Sequence, residues 1–309
     1  MSFTITIKDE LCRTRVKRQG CCLSELAGLV HTAGTLRLAR TPELICQSES
    51  QAVAKRVAQL SSDLYSLDVT LGRKEQQHRK LPLALVTLSG ADCQRLLLDT
   101  AVLSRENGAI SFNFDKRLPD ALTDSEDKLR AFLRGAFLGA GSCSDPARGY
   151  HLEIAARTEG FARALSERIS SFCLSAKSAH RKGRWLVYLK GDDVSGFLAL
   201  IGASSAALRF EDVRAEKDYR NYINRTSNCE TANIDKTVTA ALLQLQAIER
   251  IEQHQELSDL PAPLYEAARL RLQYPDATLQ ELADYAEIGK SGMNHRLARL
   301  LALAKEYED

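Results

Sequence analysis

Residues 26–34 read LAGLVHTAG and residues 133–141 read LRGAFLGAG. Gly28 and Gly135 hold the third place of the two stretches, Gly34 and Gly141 the ninth, and both pairs are 107 residues apart. Each stretch is apolar, carries a helical pattern and ends on a glycine that can stop a helix. A glycine inside a helix costs about 1 kcal/mol relative to alanine. Its presence at the same place in both copies therefore asks for a packing reason.

Outward from each helix the succession of elements repeats. After the first come TLRLAR and ELICQS, which suit a hairpin. SQAVAKRVAQLSSDLY follows, with Ala52, Val53, Val57, Leu60 and Leu64 at a helical period. LDVTLG and LALVTLSG read as strands, and ADCQRLLLDTAVL closes the half as a helix. After the second motif, strand-like YHLEIAA precedes helical TEGFARALSERISSFCL, and strand-like RWLVYLKG precedes helical DDVSGFLALIGA. VAKRV at 53–57 corresponds to FARAL at 161–165, an offset of 108. A repeat this long is a duplicated α+β subdomain, not a solenoid unit. Ser24 is expected to cap the first motif helix and Glu25 to sit at its positive end.

Composition narrows the field without naming a function. The chain has 309 residues, 44% of them hydrophobic and 27% charged, with a net charge of +2. That is ample material for a core, and any basic surface has to be local. The opening MSFTITIKDELCRTRVKR lacks the apolar segment of a secretory signal, and no apolar run reaches membrane-spanning length. The expectation is a cytoplasmic protein. Eight cysteines form no C-x-x-C pair and no zinc-finger spacing; they are expected to be small buried residues in a reducing compartment.

From Leu208 the sequence becomes highly charged, and a long helix is expected from about Asn233. Ile234, Val238, Ala241, Leu242, Leu245 and Ile248 form its apolar stripe. Pro261 and Pro263 end it. The expected boundaries are 1–106 and 107–207 for the two halves, 208–260 for the charged segment and connecting helix, and 261–309 for a small all-α domain.

That last segment reads PLYEAARLRLQYPDATLQELADYAEIGKSGMNHRLARLLALAKEYED. Its first helix ends before Pro275. Thr278 and Glu281 form a capping box that starts a short helix through about Tyr285. The stretch 286–289 supplies a turn with glycine, and Ser291 is expected to cap the next helix. Leu279, Leu282 and Ala283 face a core shared with Met293, Leu297 and Leu300. This is a helix-turn-helix pattern, whose second helix enters the major groove by its N-terminal part. Lys290, Ser291, Asn294, His295, Arg296 and Arg299 stand there, with Thr278 and Gln280 at the start of the preceding helix. Asparagine can pair with adenine and arginine with guanine, while lysine and serine suit phosphates. The segment carries six Lys/Arg against eight Asp/Glu, yet its second helix is locally positive. A protein-binding helical module remains the alternative.

Taken together, CCLSELAGLVHTAGTL, RAFLRGAFLGAGSCSDPARGYHLEI, NRTSNCETANIDKTV and DATLQELADYAEIGKSGMNHRLARL resemble the WhiA family of bacterial sporulation and cell-division regulators. The likeness runs in order from about Val16 to Leu303. It implies a fold like the LAGLIDADG homing endonucleases, in which Ala27, Gly28, Gly135, Ala136 and Gly139 are expected to let the two motif helices approach closely, followed by a helix-turn-helix domain. It also implies a DNA-binding transcription factor linked to cell division, chromosome segregation and, in sporulating relatives, sporulation. Promoter DNA is the implied partner, with a sigma factor or RNA polymerase beside it. No cofactor, membrane or small-molecule substrate is expected, and the implied location is the nucleoid. In the endonucleases the eighth motif residue is an acid that binds the catalytic metals. Here Ala33 and Ala140 stand there, and a methyl group cannot coordinate a hard divalent cation. Position six is His31 in one copy and Leu138 in the other, and Asp145 lies in turn chemistry. Catalysis is therefore not expected.

The saddle of strands that holds DNA in those enzymes contains Arg37, Arg40, Arg73, Lys74, Lys80, Arg181, Lys182, Arg184 and Lys190 in this chain. Arg73-Lys74 and Arg181-Lys182 are expected in matching loops. These side chains are either simply solvated, or make non-specific phosphate contacts, or meet a protein. His31 is expected to be a hydrogen-bonded residue at the core edge. A division-apparatus scaffold and an active metal-dependent nuclease are the two competing readings of the chain.

Overall fold

The structure, a computed structural model, describes residues 2–37, 42–75, 82–106, 109–113 and 118–307. The chain divides into two compact units, Met1–Lys217 and Asp218–Asp309. In the first, α1 (Phe3–Cys12) and α2 (Gln19–Ala33) precede β1 (Gly34–Arg37), β2 (Glu43–Ser48), α3 (Gln51–Leu64), β3 (Asp68–Lys74), β4 (Leu83–Ser89) and α4 (Cys93–Asp99). A small hairpin, β5 (Leu103–Glu106) and β6 (Ala109–Phe112), separates the halves. The second half repeats the series as α5 (Glu126–Ala140), β7 (Gly141–Cys143), β8 (His151–Ala156), α6 (Glu159–Ser170), β9 (Lys177–Arg181), β10 (Arg184–Lys190) and α7 (Asp193–Ile201). The sheets have equivalent antiparallel orders, β1-β2-β4-β3 and β7-β8-β10-β9. Their registers align residue by residue: Gly34 pairs with Cys46, and Gly141 with Ile154.

α2 and α5 each span 15 residues, begin 107 positions apart and run straight into a strand through Gly34 and Gly141. They pack against each other through their small residues. A Cβ on Gly28 would lie 2.1 Å from the Phe132 carbonyl oxygen, and one on Gly135 would lie 2.0 Å from that of Glu25. Both obstacles are backbone and cannot swing away. At Gly139 a Cβ would meet the Thr32 hydroxyl oxygen at 2.1 Å. Around this joint, Leu26, Leu29, Phe132, Leu133 and Phe137 are buried in one core with the inner faces of both sheets.

Two expectations for this unit need correction, and one helix was not foreseen. Ser24 caps nothing: α2 starts at Gln19, and the buried Ser24 hydroxyl donates to the Gly20 carbonyl inside the helix. Glu25 lies in the middle of α2 and is wholly buried. α1 was not marked by its sequence, since Thr4, Ile5, Thr6 and Ile7 favour strands. It is a helix because Phe3, Ile7 and Leu11 fall on one buried face and the Ser2 hydroxyl accepts from the Ile5 N–H.

α8 (Ser204–Glu252) starts well before Asn233. Its first turns belong to the core of the first unit through Ala206, Ala207 and Phe210. The stripe expected along it is not uniform, for Ala241 and Ile248 are buried while Ile234, Val238 and Leu242 are exposed. In the second unit, α9 (Ala262–Gln273), α10 (Leu279–Tyr285) and α11 (Lys290–Lys305) close over a core with the end of α8. Leu282, Ala283, Met293, Leu297 and Leu300 are buried there, with Leu279 packed beside them. No helix among the described residues is long and apolar enough to cross a membrane.

Candidate nucleic-acid interface

The capping box at the start of α10 is complete. The Thr278 hydroxyl accepts from the Glu281 N–H at 3.3 Å, and the Glu281 carboxylate accepts from the Thr278 N–H at 2.7 Å. These bonds hold the Glu281 carboxyl below its ordinary range. Gln280 is exposed and donates to Asp284 at 2.8 Å. The turn that follows does not use glycine for its unusual backbone. Glu287 is the left-handed residue, with φ +49°. Gly289 is instead the extended N-cap of α11, so Ser291 lies inside the helix and makes no capping bond.

α11 buries Met293, Leu297, Leu300 and Ala304 at helical spacing. The opposite side presents Lys290, Ser291, Asn294, His295 and Arg299, all exposed. Among the described residues none of these five side chains has a hydrogen-bond or ion-pair partner. Ala298, exposed as well, lies between His295 and Arg299 in sequence. Arg296 departs from the expected face. Its Nη1 donates to Glu266 of α9 at 2.8 Å and its side chain is only 21% exposed. It ties α11 to α9, whereas helical position alone had placed it among the base-reading side chains.

A positioning residue that the sequence did not reveal is Arg271 on α9, 2% exposed. Its Nη1 donates to the carbonyls of Pro275 at 3.2 Å and Ala277 at 2.7 Å, and its Nε to the Gln244 side-chain oxygen at 2.9 Å. One guanidinium thus fixes the loop that leads into the capping box. The signal was a cation at a core position of α9, between Leu270 and Leu272, but its acceptors are carbonyls, which no sequence displays.

In the first unit, the half-buried Ala33 and Ala140 end α2 and α5. The fold family's divalent metals need a carboxylate from each helix end, and these residues do not fit them. Nearby acids are not symmetric replacements. In the aligned registers Glu153 corresponds to Ile45 and Glu49 to Arg157. No group of three or more metal-ligating side chains occurs among the described residues. Glu25 is committed elsewhere. Arg56 grips its two oxygens at 2.8 and 3.2 Å, and Arg134 of the second motif adds a third contact at 3.0 Å. Arg134 also donates to the Ile201 carbonyl.

His31 is buried, within 2.8 Å of the Thr100 carbonyl through Nε2 and stacked on Phe161. Burial pushes its pKa down, against the Thr100 hydrogen bond. Asp145 closes a turn by accepting from the N–H groups of Ala147, Arg148 and Gly149. Most described cysteines are buried or half-buried, and burial drives Cys12, Cys46 and Cys143 up to about 12; Cys173 is exposed.

The saddle's cations are unevenly placed. Arg40 and Lys80 lie outside the described residues. Arg37 pairs with Glu43 at 3.2 Å. Arg73 and Lys74 end a strand instead of occupying a loop, and by register Lys74 matches Arg181. The second sheet carries an aromatic cation cluster: Arg181 and Lys190 lie over the Tyr188 ring at 5.5 and 5.6 Å, with His151 beside it.

Comparison with known proteins agrees with this architecture. Residues 129–220 match the model of the WhiA LAGLIDADG-like domain, and residues 223–304 that of the WhiA C-terminal HTH domain. The chain is 39% identical to the "Probable cell division protein WhiA" of Alkaliphilus metalliredigens, covering 98% of each chain. It is 40% identical to the protein of that name from Heliobacterium modesticaldum, covering 99% of this chain and 97% of the other. In fold it is similar to a full-length WhiA crystal structure from Thermatoga maritima, with a TM-score of 0.62 at 23% identity and full coverage of both chains.

Proposed function

The chain belongs to the WhiA family, and from that premise we propose that it is a sequence-specific DNA-binding transcription regulator acting in cell division and chromosome segregation. α11 enters the major groove. Asn294, His295 and Arg299 read base edges, while Lys290 and Ser291 hold phosphates. Thr278 and Gln280 approach the backbone from the start of α10. Arg296 and Arg271 act indirectly, by fixing α11 and the loop before α10. The LAGLIDADG-like unit serves regulation without cutting, since a water-activating metal has no acid to bind at Ala33 or Ala140. Promoter DNA in the nucleoid is the partner, with a sigma factor or RNA polymerase completing the complex; relatives that sporulate extend the same role to sporulation.

The observation that carries this reading is the set of five exposed, partnerless polar side chains on α11, whose other side is anchored by a buried apolar stripe. A genome-wide map of bound DNA tests it with the full chain and the Asn294→Ala/Arg299→Ala variant. Discrete promoter peaks should vanish in the variant while the protein level stays the same. Peaks that persist unchanged would leave recognition elsewhere.

A further inference from the structure

Within the first unit, α1, the β2–α3 connection, the α5–β7 joint and the β9–β10 hairpin surround an open cavity of about 1050 Å³. Gly139, Ala140 and Gly141 line it, so it lies where the second motif would carry its acid. Its charged side chains are Lys8, Arg181, Lys182 and Arg184, facing Glu49 and Glu153. Four cations against two carboxylates leave a positive excess. The carboxylates are also engaged. Glu153 lies within hydrogen-bond reach of the Ser142 hydroxyl at 3.4 Å and the His151 ring at 3.2 Å, and Glu49 has contacts of its own.

Two features show that these cations sit here at a cost to the fold. Lys8 projects from half-buried α1 without an ion-pair partner among the described residues, and burial pushes its pKa down to about 8. Arg181 and Arg184 are directly opposed in the last register pair of their hairpin. Like charges so placed repel. Between them Lys182 and Gly183 form a two-residue turn with φ +50° and +75°. Such a turn favours asparagine, aspartate or glycine at its first position, and a lysine in the left-handed region is strained. The hairpin thus holds three cations at the rim of one cavity despite repulsion and backbone strain. An anion entering it would relieve the repulsion and give Lys8 its missing partner.

We propose that this cavity binds a small phosphorylated molecule of nucleotide size, with Lys8, Arg181, Lys182 and Arg184 as its anion-binding side chains. The volume matches a small-molecule pocket. Phosphate accepts charge-assisted hydrogen bonds from arginine in a forked geometry and from lysine as a point charge. α1 walls one flank, which suits a compact ligand better than the continuous backbone of a duplex. This inference is independent of what α11 reads.

Calorimetric titration of the full chain in chelator-treated buffer tests it, with ATP and inorganic pyrophosphate as probes and a duplex of unrelated sequence alongside. Saturable binding of at least one small probe is expected. Lys8→Met and Lys182→Asn should each weaken it by about tenfold, the loss of one charge-assisted contact. Lys182→Asn creates an Asn-Gly turn, so this variant should fold at least as well as the parent, and a melting curve checks that. Absence of small-probe binding at millimolar concentration would overturn the proposal. So would unchanged affinity in both variants, or an effect of them on the duplex alone, which would assign the cations to nucleic acid.

Discussion

α2, α5 and α11 are helices of nearly equal length, 15, 15 and 16 residues, used in opposite ways. α2 is buried continuously from Ser24 to His31, and α5 over most of its length. α11 buries four residues along one stripe, keeps Arg296, Leu301 and Leu303 half-buried beside it, and leaves most of the remainder to solvent. A helix enclosed on all sides is specified by shape and by paired charges, and little of it is free to meet a partner. A helix held by one stripe is specified only on that side, and the other side can be given over to recognition. The glycine-bearing motifs of the LAGLIDADG-like domain therefore lie in enclosed helices, and the side chains proposed to meet DNA lie on an open one.

The sharpest way to break the enclosed region is to orphan its buried charges. Glu25→Ala leaves Arg56 and Arg134 buried without their carboxylate and should cost about 3–5 kcal/mol, read as a lowered urea midpoint. A loss below about 1 kcal/mol would show that water already screens the trio. Next in size is Gly135→Ala, whose Cβ has only backbone to move. It should cost about 3 kcal/mol. Gly149→Ala is the control, since nothing lies within 4 Å of a Cβ there. Equal melting of the two variants would contradict the close approach of α2 and α5.

These expectations mark what the sequence could and could not disclose. The two motif helices were legible because a glycine at a fixed place in each copy needs a shared cause. The start of α10 was legible because a capping box is local, complete within four residues. Glu25 was misplaced because its partners are 31 and 109 residues away. Arg296 looked like a base reader for the same reason: Glu266, which takes it, lies 30 residues earlier. α1 was hidden by β-branched residues that favour the wrong element, overridden by burial of Phe3, Ile7 and Leu11. Local signals survive in a sequence; a long-range polar partner does not.

The smallest predicted effect concerns His31. Burial lowers its folded pKa beneath the ordinary value of 6.5, so the unfolded chain binds the proton more readily. The His31 contribution to stability is therefore present above about pH 6.5 and is lost as pH falls toward the folded value. The stability gap between wild type and His31→Gln, measured in urea at about pH 7 and about pH 5, should narrow at the lower pH. A constant gap would mean that the ring is not desolvated.

Arg296 and Arg299 give the most direct test of the whole comparison, because they are three residues apart on one helix and one of them is already paired. Fluorescence anisotropy of the full chain, with promoter and scrambled duplexes at fixed salt, measures the specificity ratio for each alanine variant. Arg299→Ala should reduce promoter preference by about 1–3 kcal/mol without lowering the melting temperature. Arg296→Ala should lower the melting temperature of the second unit and weaken binding mainly through that loss. Unchanged promoter preference in Arg299→Ala would contradict the assignment of recognition to the open face of α11.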